Sequence, residues 1–231
     1  MARVNRCELT KLEIIRVATK NFLENGYTKT QVRAIARELN MSPGNLTFHY
    51  PTKEYMLAEL VNLLCKFQWE LMEEEAQEGH SSIMALCLEL ATMAATCDDD
   101  ESAKDFFISA YANPLCLSII RNNDTDRAKV LFKDYCEGWS DERFAQAEII
   151  VSGIEFATFM TAGEPVPLEK RIKGALNSIL AIYNVPKEIR KAKIAKVLSM
   201  DYKYLGQKVL RDFKKYVDES NEQALLALLK G

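Results

Sequence analysis

The sequence predicts an all-α protein, a small three-helix head followed by a larger helical body, and three observations carry that expectation. Apolar residues recur at spacings of three and four rather than two; only 9 Gly and 6 Pro interrupt 231 residues; and the prolines and several glycines fall where helices begin and end. Pro43, Pro114, Pro167 and Pro186 sit just inside expected first turns, and Gly26, Gly138 and Gly163 just past expected last turns. About ten helices are expected on this punctuation. With 48% apolar and 27% charged residues, the composition suits a folded protein rather than disorder. The longest apolar runs, Ile83 to Leu88 and Ala224 to Leu229, are too short to span a membrane. No apolar stretch follows Arg3 and Arg6 to make a signal peptide, so a cytoplasmic protein is expected. Six cysteines without C-x-x-C spacing read as reduced core thiols.

The first helix is expected where Thr10 and Glu13 form a capping box and Leu9 staples to Ile14. Its apolar face runs through Leu12, Ile15, Ala18 and Phe22 to a left-handed stop at Asn25-Gly26. Thr30 is expected to cap a second, short helix with the buried stripe Val32, Ile35, Ala36 and Leu39. Only Asn40 and Met41 separate it from a third helix, with Ser42 as N-cap and Pro43 at its first position. Pro51 ends that helix. Leu46 and Tyr50 face inward at i, i+4, which leaves Asn45, Thr47, Phe48 and His49 outward.

Two short helices joined by a tight turn, the second with polar and aromatic side chains outward, follow the helix-turn-helix plan for entering a DNA major groove. Gly44 lets the backbone approach closely. Charge points the same way: residues 1 to 53 carry nine basic side chains against four acidic ones, a net +5, whereas the remainder holds 21 basic and 29 acidic groups. A basic head on an acidic body favours contact between the head and a polyanion.

Gly26-Tyr27, the T-x-V-x-x-I-A run Thr30 to Ala36, the S-x-G-x-L run Ser42 to Leu46 and the following Lys53-Glu54 together resemble the DNA-binding head of the TetR family of bacterial transcriptional regulators. The resemblance covers residues 9 to 60. It implies a homodimeric regulator whose body dimerises and binds a small molecule that alters DNA affinity. Carried across by position, Gly44, Asn45, Thr47 and Phe48 are groove-facing residues, and Thr30, Ser42, His49 and Lys53 are phosphate anchors. The sequence departs from the family at Thr47, Phe48 and His49, where Tyr, His and Tyr are more usual, so base preference does not carry over. On general readout chemistry Asn45 pairs with adenine, and Thr47 and Phe48 touch a thymine methyl. The alternative for Phe48 is packing inside its own domain.

The division expected is 1–52 for the helix-turn-helix domain and 53–231 for the effector-binding and dimerisation domain, with 186–231 an extra helical tail. A long helix runs from Lys53 toward Glu78 with the stripe Leu57, Leu60, Val61, Leu64, Phe67 and Leu71. The resemblance makes this helix the lever between body and head, and so makes Phe67, Trp69 and Met72 pocket residues, with plain core the other reading. Residues Ile83 to Cys97 are apolar nearly all round and describe a buried central helix. The run Asp98 to Glu101 reads as a solvated loop capping the next helix, not a metal site. Rings at Phe106, Phe107, Tyr111, Phe156 and Phe159 suit a pocket for an apolar or aromatic effector, although many rings must be core.

Asp141 to Ala162 and Leu168 to Tyr183 correspond by position to the family's dimerising pair, with Ile150, Gly153, Ile154, Ala157, Ile172, Leu176 and Ile179 as the expected interface. In the tail, Lys187 to Lys215 holds ten basic residues against three acidic ones, read as a solvated face that balances the acidic body or as a second polyanion contact. Only His49 and His80 are present, so a histidine metal site or a Ser-His-Asp triad has almost nothing to build with, and no nucleotide-binding or hydrolase motif occurs. No catalytic residue, metal or cofactor is expected. The favoured function is a ligand-released repressor acting as a homodimer on a near-palindromic DNA operator. The alternative is a helical protein-interaction module without sequence-specific DNA binding, and an enzyme is the weakest reading.

Overall fold

The structure, a computed structural model, describes residues 6–77, 82–162 and 164–230, with side chains placed for 7–77, 82–162 and 164–219. Among the described residues there are eleven helices and no strand. The head holds α1 (Arg6–Asn25), α2 (Val32–Glu38) and α3 (Pro43–His49). The body holds α4 (Lys53–Ala76), α5 (Ile83–Asp99), α6 (Glu101–Ala112), α7 (Pro114–Leu131), α8 (Asp141–Met160) and α9 (Leu168–Ile182), and the tail α10 (Lys187–Leu198) and α11 (Tyr202–Lys230). Gly163, His80 and the side chains of Ala224 to Leu229 lie outside the described residues.

The local expectations hold in part. Ser42 caps α3, its Oγ accepting from Asn45 N at 3.1 Å, and Pro43 opens the helix. Gly26 ends α1 at φ +86°, a conformation costly to any residue with a Cβ. Three expectations are corrected. Residues 6 to 9 are already helical in α1, so Thr10 lies inside the helix rather than at its cap. Helix α2 begins two residues after Thr30, with Gln31 at its N-cap. Pro167 and Pro186 stand at the N-caps of α9 and α10, one position earlier than expected; only Pro43 and Pro114 are inside the first turn.

Helix α5 is the axis of the body, packed against α4, α6, α8, α9, α10 and α11. Its residues Met84, Ala85, Cys87, Leu88, Ala91 and Ala94 are fully buried, and burial on all sides follows from its nearly unbroken apolar sequence. Asp100 at the N-cap of α6 accepts from Ser102 N (2.8 Å) and Ala103 N (3.0 Å), while Asp98 and Asp99 finish α5. Among the described residues no helix is long and apolar enough to cross a membrane, and all six cysteines are free thiols; four are buried and Cys7 is exposed.

The tail closes over the junction. Helix α11 packs against α5, α1 and α4, its Lys208 pairs with Glu75 at 2.5 Å and its Lys214 with Glu24 of α1 at 3.4 Å. Part of the tail's positive charge therefore answers acids of α1 and α4, while α10 keeps Lys187, Lys191 and Lys196 exposed and buries Ile194 and Val197.

Candidate DNA-binding face and effector cavity

In the head, Ile35, Ala36 and Leu46 are buried against Ile14, Ala18 and Phe22, which fixes the angle between α2 and α3. The opposite face of α3 is open: Gly44, Asn45, Thr47 and Phe48 are all exposed, Phe48 at 77%. That exposure removes the reading of Phe48 as core; its ring meets only the edge of His49, at 5.3 Å. Thr47 Oγ1 donates to Gly44 O (3.1 Å). His49 is half-buried with Nδ1 3.6 Å from Cys7 Sγ.

Two expected anchors are tied into the head. Thr30 is 5% exposed, and its hydroxyl donates to Gly26 O (2.7 Å) and lies 3.1 Å from Asn21 O. It fastens the turn after α1 and has no free group for a phosphate, which corrects its assignment. Lys53 Nζ donates to Tyr27 O (2.9 Å) and Thr30 O (3.1 Å) and sits 4.1 Å from the Tyr27 ring centroid. Burial lowers its pKa, with Glu54 and Asp105 opposing. One N–H of the ammonium remains beyond the two carbonyl bonds.

A latch between head and body is absent from the sequence reading. Asp105 of α6 accepts from Thr28 N (2.6 Å) and Thr28 Oγ1 (2.5 Å), and Ser102 Oγ donates to Glu24 O (3.2 Å). A Cβ on Gly26 would come within 2.9 Å of Asp105 Oδ2, so the latch needs glycine there. The same α6 contributes Phe106, Phe107, Ala110 and Tyr111 to the wall of a cavity in the body.

That cavity is a partly open cleft between α4, α5, α6, α7 and α8, whose roughly 750 Å³ of unfilled space includes the solvent at its mouth. Of the rings expected there, Trp69, Phe106, Phe107 and Tyr111 line it. Four expected residues do not. Phe67 packs on Phe213 and Tyr216 of α11 (centroids 5.6 and 5.2 Å), and Met72 is buried beside Thr92. Phe159 is fully buried behind Tyr111, 5.4 Å away, and Phe156 is partly buried outside the cavity wall.

Charged groups also line the cavity: Glu89, Asp124, Arg127, Glu148 and Glu155. Arg127 Nη1 is 3.3 Å from Asp124 Oδ1 and 3.5 Å from Glu89 Oε2, Nη2 donates to Cys65 O at 2.5 Å, and the guanidinium lies 4.6 Å over Trp69. Tyr111 donates to Glu155 Oε2 at 3.0 Å, and Tyr183, stacked on Phe132, donates to Glu148 Oε1. Burial raises the pKa of all four carboxyls, Asp124 and Glu155 strongly and Glu148 to about 7. For Arg127, burial works against the charge, but Glu89 and Asp124 outweigh it and hold the pKa above its ordinary value. The signal available in sequence was Glu89, a lone charge inside an otherwise apolar helix, and Glu148 with Glu155, seven residues apart on one face of α8.

The expected dimer face divides. Ile150, Gly153 and Ala157 are exposed on α8 together with Ile149 and Met160, and Ile154 is half-buried. Ile172, Leu176 and Ile179 of α9 are instead fully buried in the protomer's own core, because that stripe faces α5, α8 and α10. They are corrected to core residues.

Residues 14–60 match the family model described as bacterial regulatory proteins, tetR family. The HTH-type transcriptional regulator QacR of Staphylococcus aureus is 38% identical over 53 residues, a stretch that makes up 23% of this chain and 28% of that relative's length. Among solved structures, CprB from Streptomyces coelicolor in complex with its operator sequence is similar at 21% identity, covering 88% of this chain and 99% of that one, with a TM-score of 0.45. Mycobacterium smegmatis AmtR is similar at 17% identity, covering 81% and 93%, with a TM-score of 0.42. Whole-chain likeness at that level says nothing of what the body binds. The likeness is carried by the head: residues 14–60 are similar to the DNA-binding head of the TetR family of bacterial transcriptional regulators.

Proposed function

We propose that the protein is a ligand-responsive DNA-binding transcriptional regulator, a homodimeric repressor released from its operator when a small molecule occupies the cavity between α4 and α8. The observation that carries the reading is the open face of α3: Asn45, Thr47 and the strongly exposed Phe48 stand on a short helix whose other face is locked in the head's core. An exposed ring beside polar groups on a basic head matches what base-edge readout requires. Ser42, His49 and the remaining N–H of Lys53 are the proposed phosphate contacts, with the first amides of α4 sharing the Lys53 phosphate.

Dimerisation is assigned to the exposed α8 face of Ile149, Ile150, Gly153, Ala157 and Met160, which leaves a large apolar patch unless a second copy covers it. Two heads then reach half-sites of a near-palindromic operator. Coupling runs through α4, which begins at Lys53 in the head and lines the cavity at Leu64 and Trp69, and through α6, which lines the cavity and grips Thr28. A ligand changes DNA affinity only through different contacts with the two states of these helices.

The test is retention of duplex DNA across a salt series. Sequences selected from a random pool are expected to bind with affinity falling steeply as salt rises, and Lys53→Ala to flatten that slope by about one unit per protomer. Indifference to duplex at every salt concentration favours the protein-interaction reading and rejects this one. Monomer in sedimentation at micromolar concentration rejects the dimer.

A further inference from the structure

The cavity's wall carries four carboxyl groups against one guanidinium, and that guanidinium is already engaged by Glu89, Asp124, the Cys65 carbonyl and the Trp69 ring. An anionic ligand would find no free cation here and several acids. Two polar atoms are also unanswered. Glu148 is 3% exposed, and its Oε2 has no hydrogen-bond partner; Gln68 is 2% exposed, and its Nε2 has none. Both residues line the cavity. A buried polar group left unpaired is costly, and a ligand that completes it removes that cost.

We propose that the cavity is built for an organic cation, a protonated amine or amidinium on an aromatic or branched apolar body, whose N–H donates to the free oxygen of Glu148 while Asp124 and Glu155 supply countercharge. This rests on the reading of the cavity as the effector site. The expectation of a merely apolar or aromatic effector is thereby narrowed: Trp69, Phe106, Phe107 and Met93 accept the apolar body and the acids require the charge. An N–H is required, because a quaternary ammonium leaves the Glu148 oxygen unbonded. A metal ion is disfavoured, since among the described residues no group of three or more His, Cys, Asp or Glu is arranged to hold one. Gln68 adds a donor for an oxygen elsewhere on the same molecule.

Binding must then release protons. Besides the four carboxyls and Arg127, the ionisable groups at the cavity are Cys65 of α4, Tyr111 of α6 and Tyr183 at the C-cap of α9 behind Glu148, with Arg121 of α7 also acting on Glu148. Burial keeps the thiol and both phenols neutral and raises all four carboxyls, with Glu148 held at about 7. Near neutrality Glu148 is partly protonated, and an incoming cation displaces that proton.

The test is calorimetry on the full chain with a panel of arylalkylamines and benzamidines, each paired with a neutral alcohol, an N-trimethyl analogue and a carboxylate of the same skeleton. At least one amine or amidine is expected to bind tenfold or more tighter than its three counterparts. Its affinity should rise by up to about tenfold per pH unit from pH 5 to 7, with a heat that depends on the buffer's ionisation enthalpy. Glu148→Gln, which keeps an oxygen for Tyr183, should abolish the preference; Asp124→Asn provides a second variant if the first misfolds. No binding by any cation, or neutral or trimethyl analogues binding equally well, overturns the proposal. If a neutral analogue binds and releases selected duplex, the cation proposal falls while the regulator reading stands. If an amine binds with proton release but leaves duplex affinity unchanged, the cation site stands and the regulator reading falls.

Discussion

The head and the cavity are built on opposite principles. In the head, each outward side chain is set by a neighbour a few residues away: Ser42 caps its own helix, Leu46 buries one face, and Phe48 is left outside. In the cavity, the acids come from three helices, and each is defined by a partner far along the chain, Glu89 by Arg127 and Glu148 by Tyr183. A surface that meets a long polyanion needs only a local arrangement with a net charge, whereas a site that encloses a small molecule has to converge from several elements. The two are also polarised oppositely, basic outside at the head and acidic within the body.

The largest expected effect separates them by stability. Leu46→Ala removes a fully buried side chain from a head with few others, and should cost about 2–5 kcal/mol. Loss of DNA binding with cavity binding retained, followed by calorimetry and duplex retention on one sample, is the expected outcome; joint loss of both means that head and body unfold together.

Next is Glu148→Gln, in the absence of ligand. A carboxyl held at about 7 when folded and 4.5 when free contributes its stability in full below 4.5 and loses it as pH rises through 7. Glutamine does not titrate. The variant should therefore differ from the parent by a constant amount below pH 4.5 and gain on it by about 3 kcal/mol between there and pH 8, seen in paired thermal melts. A pH-independent difference contradicts the buried-acid account.

Phe48→Ala sharpens the contrast from the other side. Its ring is exposed, so stability should change by no more than about 0.5 kcal/mol. Duplex affinity should fall by about 1–3 kcal/mol, unequally among operator sequences. An equal loss on all duplexes assigns Phe48 a role other than base contact.

The smallest effect is expected at the seam. Asp105→Asn keeps the shape of the latch but weakens its charged hydrogen bonds to Thr28, by about 1 kcal/mol. Ligand-free duplex binding should change little, while the ligand's effect on it should shrink, as read by duplex retention with and without ligand.

The all-helical class, the Ser42 cap, the outward face of α3 and the central α5 were legible because they depend on periodicity and on caps a few residues away. Thr30 and Ile172 mark where that reading ends. Thr30 has the residue type of a cap but bonds backward across the turn to Gly26, and Ile172 lies on an apolar stripe that a sequence cannot assign to the protomer's own core or to a partner. The cavity's acids were hidden for the same reason. Glu89 stands out as a charge in an apolar helix, but Asp124, Glu148 and Glu155 look solvated in theirs, and only tertiary packing turns the four toward one space.

The central claim is that occupancy of the acidic cavity governs the head's grip on DNA. It is tested most directly by reciprocity: affinity of the full chain for a selected duplex measured with and without a saturating cavity-binding amine, and affinity for that amine measured with and without the duplex. The account predicts that each ligand weakens the other by the same factor, about tenfold or more, and that Glu148→Gln removes both effects together. Full binding of both ligands at unchanged affinities would contradict it.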